Sequence, residues 1–377
     1  MAGTQLSSTH PPHPLPSEED IVTCLRLLRS RRVGPATYRR MIREHGSASA
    51  ALATLPDVAA SAGVTDYQIC LTGVVMAELK TARTNNARLL VQGTPDFTAA
   101  LDDLDDAPPL LWSIGDTSLL ARPVIAMVGA RNASSLGTRI AKKLAADLGD
   151  AGYVIVSGLA RGVDTAAHLA SLTTGTIAVQ AGGVDVIYPT ENTALTQDIA
   201  KSGLRLSEMA MGMQPQARHF PARNRIISGL SMGVVVIEAA AKSGSLITAR
   251  NALDQSRDVL AMPGHPFDGR TAGCTMLIRD GATLVSSADD VIEALGHIHP
   301  PQFPELALPT PAPKQNLRRT ADLHSKILQR LGPSPVAEDQ LIRDLGAAPT
   351  TVAPALVSLE PDGRIRRQRG GLLSLSD

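Results

Sequence analysis

Five short runs of valine, isoleucine and other apolar residues recur between residues 124 and 262, and helical patterns separate most of them. Strands that are apolar at almost every position are covered on both faces, as in a parallel sheet with helices packed on either side. We therefore predict an α/β fold with a doubly wound parallel sheet over residues 110–297, with helices that include 137–150 and 245–256. The predicted strands are Val124–Gly129, Tyr153–Ser157, Thr176–Gln180, Gly233–Glu238 and Asp258–Met262.

Smaller domains are expected on either side of this sheet. Residues 18–100 contain short apolar helical patterns and a Val33-Gly34-Pro35 turn, which favours a small helical domain of the SAM-like or helix-hairpin-helix class. The aspartates at 102–106 are interpreted as an acidic linker. Residues 317–377 predict three short helices and a basic hairpin, and this combination is typical of a winged helix.

Two further segments are expected to form no domain. Residues 1–17 are rich in proline, histidine and serine and contain no apolar core of a signal peptide, so we expect a flexible tail, no membrane partner and a cytoplasmic protein. Residues 298–316 contain six prolines and predict a stiff linker. The three cysteines are far apart and have no metal-binding spacing, so neither a disulfide framework nor a zinc site is expected.

Four of the predicted strands end in polar, glycine-rich loops. The carboxyl ends of parallel strands lie at one edge of a sheet, so these loops are expected to cluster there. Helix N-terminal amides and the side chains of Arg131, Ser134, Arg161 and Lys242 suit anions, whereas the alternative is that the glycines only permit tight packing. Because the formal net charge is zero, any nucleic-acid site must be a local patch. The loops are Gly129–Gly137, Ser157–Asp164, Gly182–Pro189 and Lys242–Ser245.

The segment Phe220-Pro-Ala-Arg-Asn-Arg225 places one aromatic ring and two guanidinium groups around an amide at the start of a helical pattern. Aromatic residues make up only 2% of the chain, so this neighbourhood favours a surface role over the alternative of a core phenylalanine. Cations, a ring face and bare amides suit a phosphodiester backbone and a stacked base. No nucleophile or metal ligand accompanies them.

A nucleotide cofactor is not expected. The chain has neither a GxxxxGK[ST] phosphate loop nor a GxGxxG turn that opens a helix, so the Rossmann-like pattern occurs without the dinucleotide fingerprint. The remaining ligands are an extended polyanion or a mononucleotide. For a mononucleotide, the alternative function is that of a nucleoside-monophosphate phosphoribohydrolase, with Glu238 as general base or as stabiliser of an oxocarbenium ion. The Pro-Gly-Gly-x-Gly-Thr loop usual in those enzymes is absent from the sequence.

A third hypothesis makes the winged helix the main reader of DNA. The arginines of its hairpin form a basic wing suited to the backbone of duplex DNA, although charges also protect an exposed strand from pairing. The partner of this domain therefore stays open between duplex DNA and protein. The arginines are Arg364, Arg366, Arg367 and Arg369.

The motifs of the central region resemble those of the DNA-processing protein A family, also called DprA or Smf. They occur in the family's order and cover the central domain densely, and the flanking segments resemble the family more loosely. The matching stretches are Val128-Gly-Ala-Arg131 with Ser134 and Gly137, Ser157–Asp164, Gly182–Asp185, Tyr188–Asn192, Phe220–Arg225, Ser243–Ser245 with Thr248–Arg250, Pro263-Gly264, and Leu277-Ile278 to Gly281-Ala282.

The resemblance implies a homodimer that binds single-stranded DNA during natural transformation, protects the incoming strand and helps to load the RecA recombinase on it. It implies no hydrolytic step, no catalytic residue, no cofactor and no metal. Arg131 and Arg161 are expected to take phosphates, as are the amides of Gly158 and Gly162, and Phe220 is expected to stack a base. The full set of expected DNA-binding residues is Arg131, Ser134, Gly158, Ala160, Arg161, Gly162, Phe220, Arg223, Asn224, Arg225, Lys242, Ser243, Gly244 and Ser245.

Overall fold

The chain folds into two compact units, Met1–Ile298 and His299–Asp377. The computed structural model describes residues 17–102, 104–265, 267–296, 317–332, 334–368 and 371–376, with the backbone alone at 317–320. Apart from Ser17, the predicted N-terminal tail lies outside the described residues, and so does the whole of the predicted linker at 298–316. Among the described helices, none combines the length and the hydropathy that a membrane span requires.

The first unit begins with four helices, of which the first three share an apolar cluster and the fourth packs against β2. Ser17 starts the first helix with a capping box, in which its hydroxyl accepts from the amide of Asp20 and the Asp20 carboxylate accepts from the amide of Ser17. Pro35 occupies the first turn of the second helix, where its missing N–H is not needed, and Gly46 ends that helix in the left-handed conformation. The helices are α1 (Glu18–Arg29), α2 (Pro35–His45), α3 (Ala48–Ser61) and α4 (Thr72–Thr84).

Nine strands of the described chain form one mixed sheet. In chain order they are β1 (Arg88–Val91), β2 (Leu110–Gly115), β3 (Val124–Val128), β4 (Val154–Ser157), β5 (Thr176–Val179), β6 (Leu204–Ser207), β7 (Gly233–Val236), β8 (Asp258–Ala261) and β9 (Thr283–Leu284). Across the sheet their order is β1-β2-β6-β5-β4-β3-β7-β8-β9. All pairs from β6 to β9 are parallel, and β1 and β2 add antiparallel pairs at one edge. The predicted parallel sheet is confirmed, with an antiparallel extension.

Helices cover both faces of the sheet, which explains why its central strands read as continuous apolar runs. Along β3, Val124, Ala126 and Val128 belong to one layer of the core, and Ile125 and Met127 belong to the other. This alternation follows from the two-residue repeat of a strand. The covering helices are α5 (Ser135–Asp150), α6 (Val163–Ala170), α7 (Thr193–Ser202), α8 (His219–Leu230), α9 (Ser245–Asp254), α10 (Ala272–Arg279) and α11 (Ala288–Leu295).

The segment that we interpreted as an acidic linker is instead packed into the first unit. Leu101, Leu104 and Ala107 are buried in the main core, whereas Asp102 and Asp105 are exposed. The apolar residues recur at every third position, and the aspartates between them conceal that pattern in the sequence. Because β1 pairs with β2, the sheet already begins within the range predicted for the helical domain.

Strand β6 is absent from the sequence prediction, although all four of its residues are buried. It includes Arg205, whose guanidinium donates to the Gln180 side chain at 3.0 Å and to the carbonyl of Val184. Burial lowers the pKa of Arg205 to about 10. A charged residue within so short a run removes the apolar signal by which the other parallel strands are recognised.

The helical domain is attached to the sheet through Trp112 on β2. The indole N–H of Trp112 donates to Oε1 of Glu78 on α4 at 2.8 Å. Arg29, the last residue of α1, donates to both oxygens of the same carboxylate at 2.9 and 2.8 Å. Since Trp112 and Glu78 are both buried, the helices and the sheet share a satisfied polar contact within the apolar interface.

The second unit contains the three helices and the hairpin that the sequence predicts for a winged helix. Ile327, Leu341, Leu356 and Leu373 are buried in its core. Its elements are α12 (Leu317–Arg330), β10 (Val336–Ala337), α13 (Glu338–Leu345), α14 (Pro349–Leu359), β11 (Ile365–Gln368) and β12 (Leu372–Leu375). The strands pair antiparallel in the order β10-β12-β11. Arg369 of the predicted basic wing lies outside the described residues.

Candidate nucleic-acid interface

The carboxyl ends of the parallel strands meet at an edge where the winding of the sheet reverses. Successive strands run outward from β3 to β6 on one side and from β7 to β9 on the other, so the loops that follow β3 and β7 diverge. A crevice forms where they part, which is the usual ligand position in open α/β sheets. The structure brings the four predicted glycine-rich loops to this edge.

Two adjoining cavities occupy the crevice, and we call them together the binding trough. One cavity of about 320 Å³ lies beside the loops after β4 and β5, and the other, of about 590 Å³, lies beside the loops after β3 and β7. Arg131, Ala160, Phe220 and Arg223 line both cavities. The other expected DNA-binding residues in the lining are Gly158, Arg161, Asn224, Lys242, Ser243, Gly244 and Ser245.

Phe220 stands in the wall of the binding trough, in the first turn of α8. Its ring lies 5.7 Å from the ring of Tyr188 at an interplanar angle of 51°. The guanidinium carbon of Arg131 lies 5.0 Å from the centroid of the Phe220 ring, a cation–π contact. Phe220 is half-buried rather than part of the core, and Tyr188 is 49% exposed. The only aromatic residue of the predicted segment therefore belongs to the surface of the trough.

Arg223 forms the floor of the binding trough and is only 4% exposed. Its guanidinium donates to the carbonyls of Gly158 and Val179 and, through Nε, to the side chain of Asn224 at 3.2 Å. A Cβ on Gly158 would lie 2.5 Å from Nη1 of Arg223, so a larger residue there would displace the guanidinium. Burial lowers the pKa of Arg223 to about 10, which leaves it charged at neutral pH.

The loop after β4 is held by Asp164 rather than left open for a phosphate. The Asp164 carboxylate accepts from the amides of Gly158 and Ala160, both at 3.2 Å. Desolvation raises the pKa of Asp164, and the nearby Arg223 guanidinium opposes that rise. Gly162 turns the chain at a φ of 77°, where a Cβ would collide with the carbonyl of Ala130. The expected phosphate role of the Gly158 amide is thus taken by an internal carboxylate.

The N-terminus of α5 is likewise satisfied within the protein. The hydroxyl of Ser134 accepts from the amide of Gly137 at 2.9 Å and caps the helix. The amide and hydroxyl of Ser134 both donate to Glu238, which follows β7 and is buried. Ser134 does not line the binding trough. We therefore find Ser134 in a cap rather than at the surface predicted for it.

The cations at the margin of the binding trough remain available to a ligand. Arg161 is exposed and lies 3.6 Å from the exposed carboxylate of Glu191, an ion pair that contributes little in water. Lys242 is also exposed. In the same loop the hydroxyls of Ser243 and Ser245 are 2.7 Å apart. This hydrogen bond shapes the turn that presents Lys242.

Arg225 points away from the binding trough, contrary to expectation. Its guanidinium donates to the carbonyl of Asp106 at 2.6 Å and to the carboxylate of Glu208, and it faces a separate cavity. Phe220, Arg223 and Asn224 are spaced three and four residues apart and share one face of α8, whereas Arg225 falls on another. Burial raises the pKa of Glu208, and Arg225 counteracts part of that rise.

The binding trough also contains residues that the sequence analysis does not assign to the site. Arg270 comes from the loop after β8, which ends at the same edge because β8 is parallel to β7. The carboxyl ends of parallel strands lie at one edge of the sheet, and β8 was among the predicted strands. The same reasoning could therefore have placed the loop of Arg270 at the site. Tyr188 and Glu191, for which the sequence leaves a place beside the site and a structural role equally open, both line the smaller cavity, and the further lining residues outside the expected set include Asn132, Pro215 and Thr248.

More than half of the chain matches one known family. Residues 88–296 match the family model described as DNA recombination-mediator protein A. The chain belongs to this family. Residues 18–81 match the DprA-like N-terminal HHH domain, and residues 310–371 match the DprA winged helix domain. The DprA resemblance drawn from the motifs is confirmed, together with the fold class of a helical domain, an α/β sheet and a winged helix.

Bacterial proteins named DprA or Smf are similar to this chain. The DNA processing protein DprA of Streptococcus pneumoniae is 49% identical over 194 residues, which cover 51% of this chain and 68% of that protein. The protein Smf of Synechocystis is 34% identical over 318 residues, which cover 76% of this chain and 79% of that protein. The similarity thus extends beyond the central domain.

Two solved DprA structures share the fold. The X-ray structure of DprA from Streptococcus pneumoniae gives a TM-score of 0.60 at 37% identity, covering 72% of this chain and 96% of that one. DprA from Helicobacter pylori gives a TM-score of 0.52 at 34% identity, covering 55% of this chain and 95% of that one. The second structure is described as revealing a unique single-stranded DNA binding mode of that protein.

Proposed function

We propose that this DprA family member binds single-stranded DNA in the binding trough during natural transformation, without a hydrolytic step. The observation that carries the proposal is a half-buried ring, Phe220, surrounded by cations. Arg223 lies on the floor, Arg131 lies over the ring, and Arg161 and Lys242 lie at the margin. Single strands are held by such combinations because the cations follow the phosphates and every base offers a flat face to the ring.

Base stacking on Phe220 requires a local rearrangement of Arg131. The guanidinium now covers one face of the ring, and a cation–π contact at an exposed site contributes about 0.5–1 kcal/mol. A stacked base contributes about 1–3 kcal/mol. The exchange is therefore favourable, and the released guanidinium of Arg131 gains a phosphate oxygen as its new partner.

The DNA-binding proposal is supported by the Helicobacter pylori relative, which is described as binding single-stranded DNA and shares this fold. We extend the proposal to protection of the incoming strand and to the loading of the RecA recombinase on it, as the family resemblance implies. A cytoplasmic location follows from these partners. The winged helix is proposed to contact either duplex DNA or protein.

We also propose that the protein acts as a homodimer through an apolar surface at the far edge of the sheet. Leu253 on α9, Met276 on α10 and Leu284 on β9 are all exposed. A cavity of about 300 Å³ lies between α9 and α10. Within the described residues, β9 is the last strand of the sheet, so its outer side has no strand partner. A second copy of the chain is the occupant that covers such a surface in this proposal.

Glu238 weakens the alternative of a phosphoribohydrolase. Its two carboxylate oxygens accept from Ser134 at 2.8 and 2.5 Å, and the residue does not line the binding trough. A general base needs an oxygen that reaches the substrate. The carboxylate is more simply explained as the group that fixes the start of α5.

The proposal is tested by a fluorescence-anisotropy titration of oligo-dT and of a duplex of equal length at two salt concentrations. We expect tighter binding of the single strand and little dependence on its sequence. The logarithm of the affinity should fall against the logarithm of the salt concentration by about 0.7 for each neutralised phosphate. Failure to bind oligo-dT at low ionic strength would remove the proposal.

A further inference from the structure

The loop after β8 presents a second aromatic ring at the same edge of the sheet. Phe267 is 93% exposed, more than any other large apolar side chain in the described part of the chain. The sequence contains only four phenylalanines, and this one has no place in the core or in the proposed homodimer surface. A fully exposed ring in so aromatic-poor a chain calls for a ligand-based explanation.

Phe267 lies in a loop that is closed by hydrogen bonds between residues on either side of it. The amide of Asp268 donates to the carbonyl of His265 at 2.9 Å, and the amide of Thr271 donates to the carbonyl of Asp268 at 3.0 Å. The hydroxyl of Thr271 donates to the carbonyl of His265 at 3.1 Å, which closes the loop. The ring of His265 lies 5.6 Å from the ring of Phe267 at 43°. The ring of Phe267 is thus exposed beside a loop backbone that is tied by hydrogen bonds.

Arg270 connects this loop to the binding trough. It lines the larger cavity together with Phe220 and Lys242. Its Nε and Nη2 donate to the two oxygens of Asp268 at 3.0 and 2.9 Å, which fixes the plane of the guanidinium. A guanidinium carries five N–H groups, so the remaining donors are left for a phosphate oxygen. The carboxylate of Asp268 offsets part of the positive charge of Arg270. Arg270 therefore acts here mainly as a hydrogen-bond donor in a fixed position.

These positions define a direction for a bound strand. Phe220, Lys242 and Arg270 line the larger cavity, and Phe267 lies three residues before Arg270 in the same loop, so a strand that stacks one base on Phe220 and continues past Arg270 is led toward Phe267. Resting on the proposed function, we propose that Phe267 is a second stacking position for a base of single-stranded DNA, with Arg270 contacting the phosphate before it. The trough thereby holds more than one nucleotide on each subunit.

The surroundings favour nucleic acid over a protein partner at Phe267. Its ring contacts the imidazole of His265, and the next residue in the chain, Asp268, forms an ion pair with Arg270. A protein interface of comparable strength needs a contiguous apolar core, which is found instead at Leu253 and Met276. One ring among polar groups matches the stacking positions of single-strand binding proteins.

The first test places an indole at the proposed stacking position. The Phe267→Trp variant is titrated with oligo-dT while tryptophan fluorescence and the anisotropy of labelled DNA are recorded together. The one native tryptophan, Trp112, is buried and supplies a constant background. We expect quenching in Phe267→Trp and none in the control Leu169→Trp, because Leu169 is exposed at the end of α6 that points away from the trough edge.

The second test compares Phe267→Ala and Phe267→Leu on oligo-dT of about 4 and about 16 nucleotides, the range of site sizes known for single-strand binding folds. We expect both variants to weaken binding of the longer strand by between about 5-fold and about 150-fold and to leave the shorter strand unaffected.

The outcomes separate the two proposals. Anisotropy that reports binding without quenching at position 267 overturns the stacking role and leaves the proposed function standing. A fluorescence change that depends on protein concentration and not on DNA concentration also overturns the stacking role, and shows that position 267 contacts another protein molecule. Absence of binding by the unmodified protein defeats the proposed function itself.

Discussion

Glu238 closes the start of α5 by accepting hydrogen bonds from the amide and the hydroxyl of Ser134, at 2.8 and 2.5 Å. Asp164 does the same for the loop after β4, where it accepts from two backbone amides. Two backbone sites suited to phosphate are thus occupied by carboxylates of the protein itself. In the binding trough, we therefore expect attraction for an anion to depend on side-chain cations, foremost Arg131, Arg161 and Lys242.

The Glu238→Gln variant should lose stability and keep its DNA affinity. The two Ser134 donors bond to different oxygens of the carboxylate, and glutamine offers one oxygen in place of two, so one donor loses its partner at a cost of about 1–3 kcal/mol. Thermal and urea unfolding measure the loss, and Glu44→Gln, which changes an exposed carboxylate on α2 outside the trough, serves as the control. Release of free base from nucleoside monophosphates that disappears in Glu238→Gln would instead restore the enzymatic alternative.

The Phe220→Ala variant should bind oligo-dT more weakly by about 1–3 kcal/mol, the contribution of one stacked base. The ring is half-buried and its neighbours are Tyr188 and Arg131, so its removal affects the fold little. Anisotropy titrations give the affinity and circular dichroism confirms the fold. Phe220→Tyr should retain most of the affinity. A loss below a few tenths of a kcal/mol would take Phe220 out of the site.

The Arg131→Glu variant should weaken binding to a similar extent for all sequences, because a phosphate contact carries no sequence information. The slope of the logarithm of affinity against that of salt concentration should become shallower by about 0.7 for each lost phosphate contact. Arg139→Glu on α5 is a matched control, since Arg139 is exposed and does not line the trough. Equal effects of the two substitutions would point to net charge alone.

The Arg225→Met variant should be unstable at neutral pH and partly recover in mild acid. Removing Arg225 leaves the buried Glu208 carboxylate unpaired, which costs about 3–5 kcal/mol. Burial already raises the pKa of Glu208, and loss of Arg225 raises it further. The folded variant then binds a proton more tightly than the unfolded chain, so its stability falls as pH rises through that window.

Urea unfolding of the Arg225→Met variant and of the unmodified protein at pH 5 and pH 7 measures this difference. We expect the gap between the two proteins to be larger at pH 7, with oligo-dT affinity preserved wherever the variant is folded. A large loss of DNA affinity in a folded variant would return Arg225 to the site.

A chain that ends at residue 316 should retain binding of single-stranded DNA and lose part of its affinity for duplex DNA. The winged helix is a separate unit, and its wing exposes Arg364 and Arg366. The third helix, α14, contains no lysine or arginine, so it adds no cation to those of the wing. Gel-shift titrations of both DNA forms measure the effect. Loss of single-strand binding would make the winged helix the principal reader.

Much of the fold follows from local sequence patterns. Apolar runs such as Val124–Val128 predict buried parallel strands, and the polar loops that follow them then gather at one edge without knowledge of the tertiary structure. Strand β6 is not predicted in this way, because Arg205 interrupts its short apolar run. The burial of Leu101 and Leu104 is not predicted either, because aspartates surround these apolar residues in the sequence.

Local sequence patterns do not show which polar side chains pair within the protein and which face the binding trough. Nothing local indicates that Glu238 reaches Ser134, 104 positions earlier in the chain, or that Glu208 draws Arg225 away from Phe220. These pairings depend on which loops the sheet topology makes neighbours. The helical repeat does separate Arg225 from Phe220 and Arg223, and applying it to α8 would have corrected that assignment.

The contact of Trp112 with Glu78 has a consequence for how the protein can be divided. Its indole sits under the α1 and α4 pair, and the carboxylate it binds also anchors Arg29. A fragment that begins just before β1 would expose Trp112 to water. Its indole N–H would also lose the hydrogen bond to Glu78. The boundary between separable parts of the molecule therefore lies after α11. The N-terminal helices are an integral part of the α/β unit and not an independent domain.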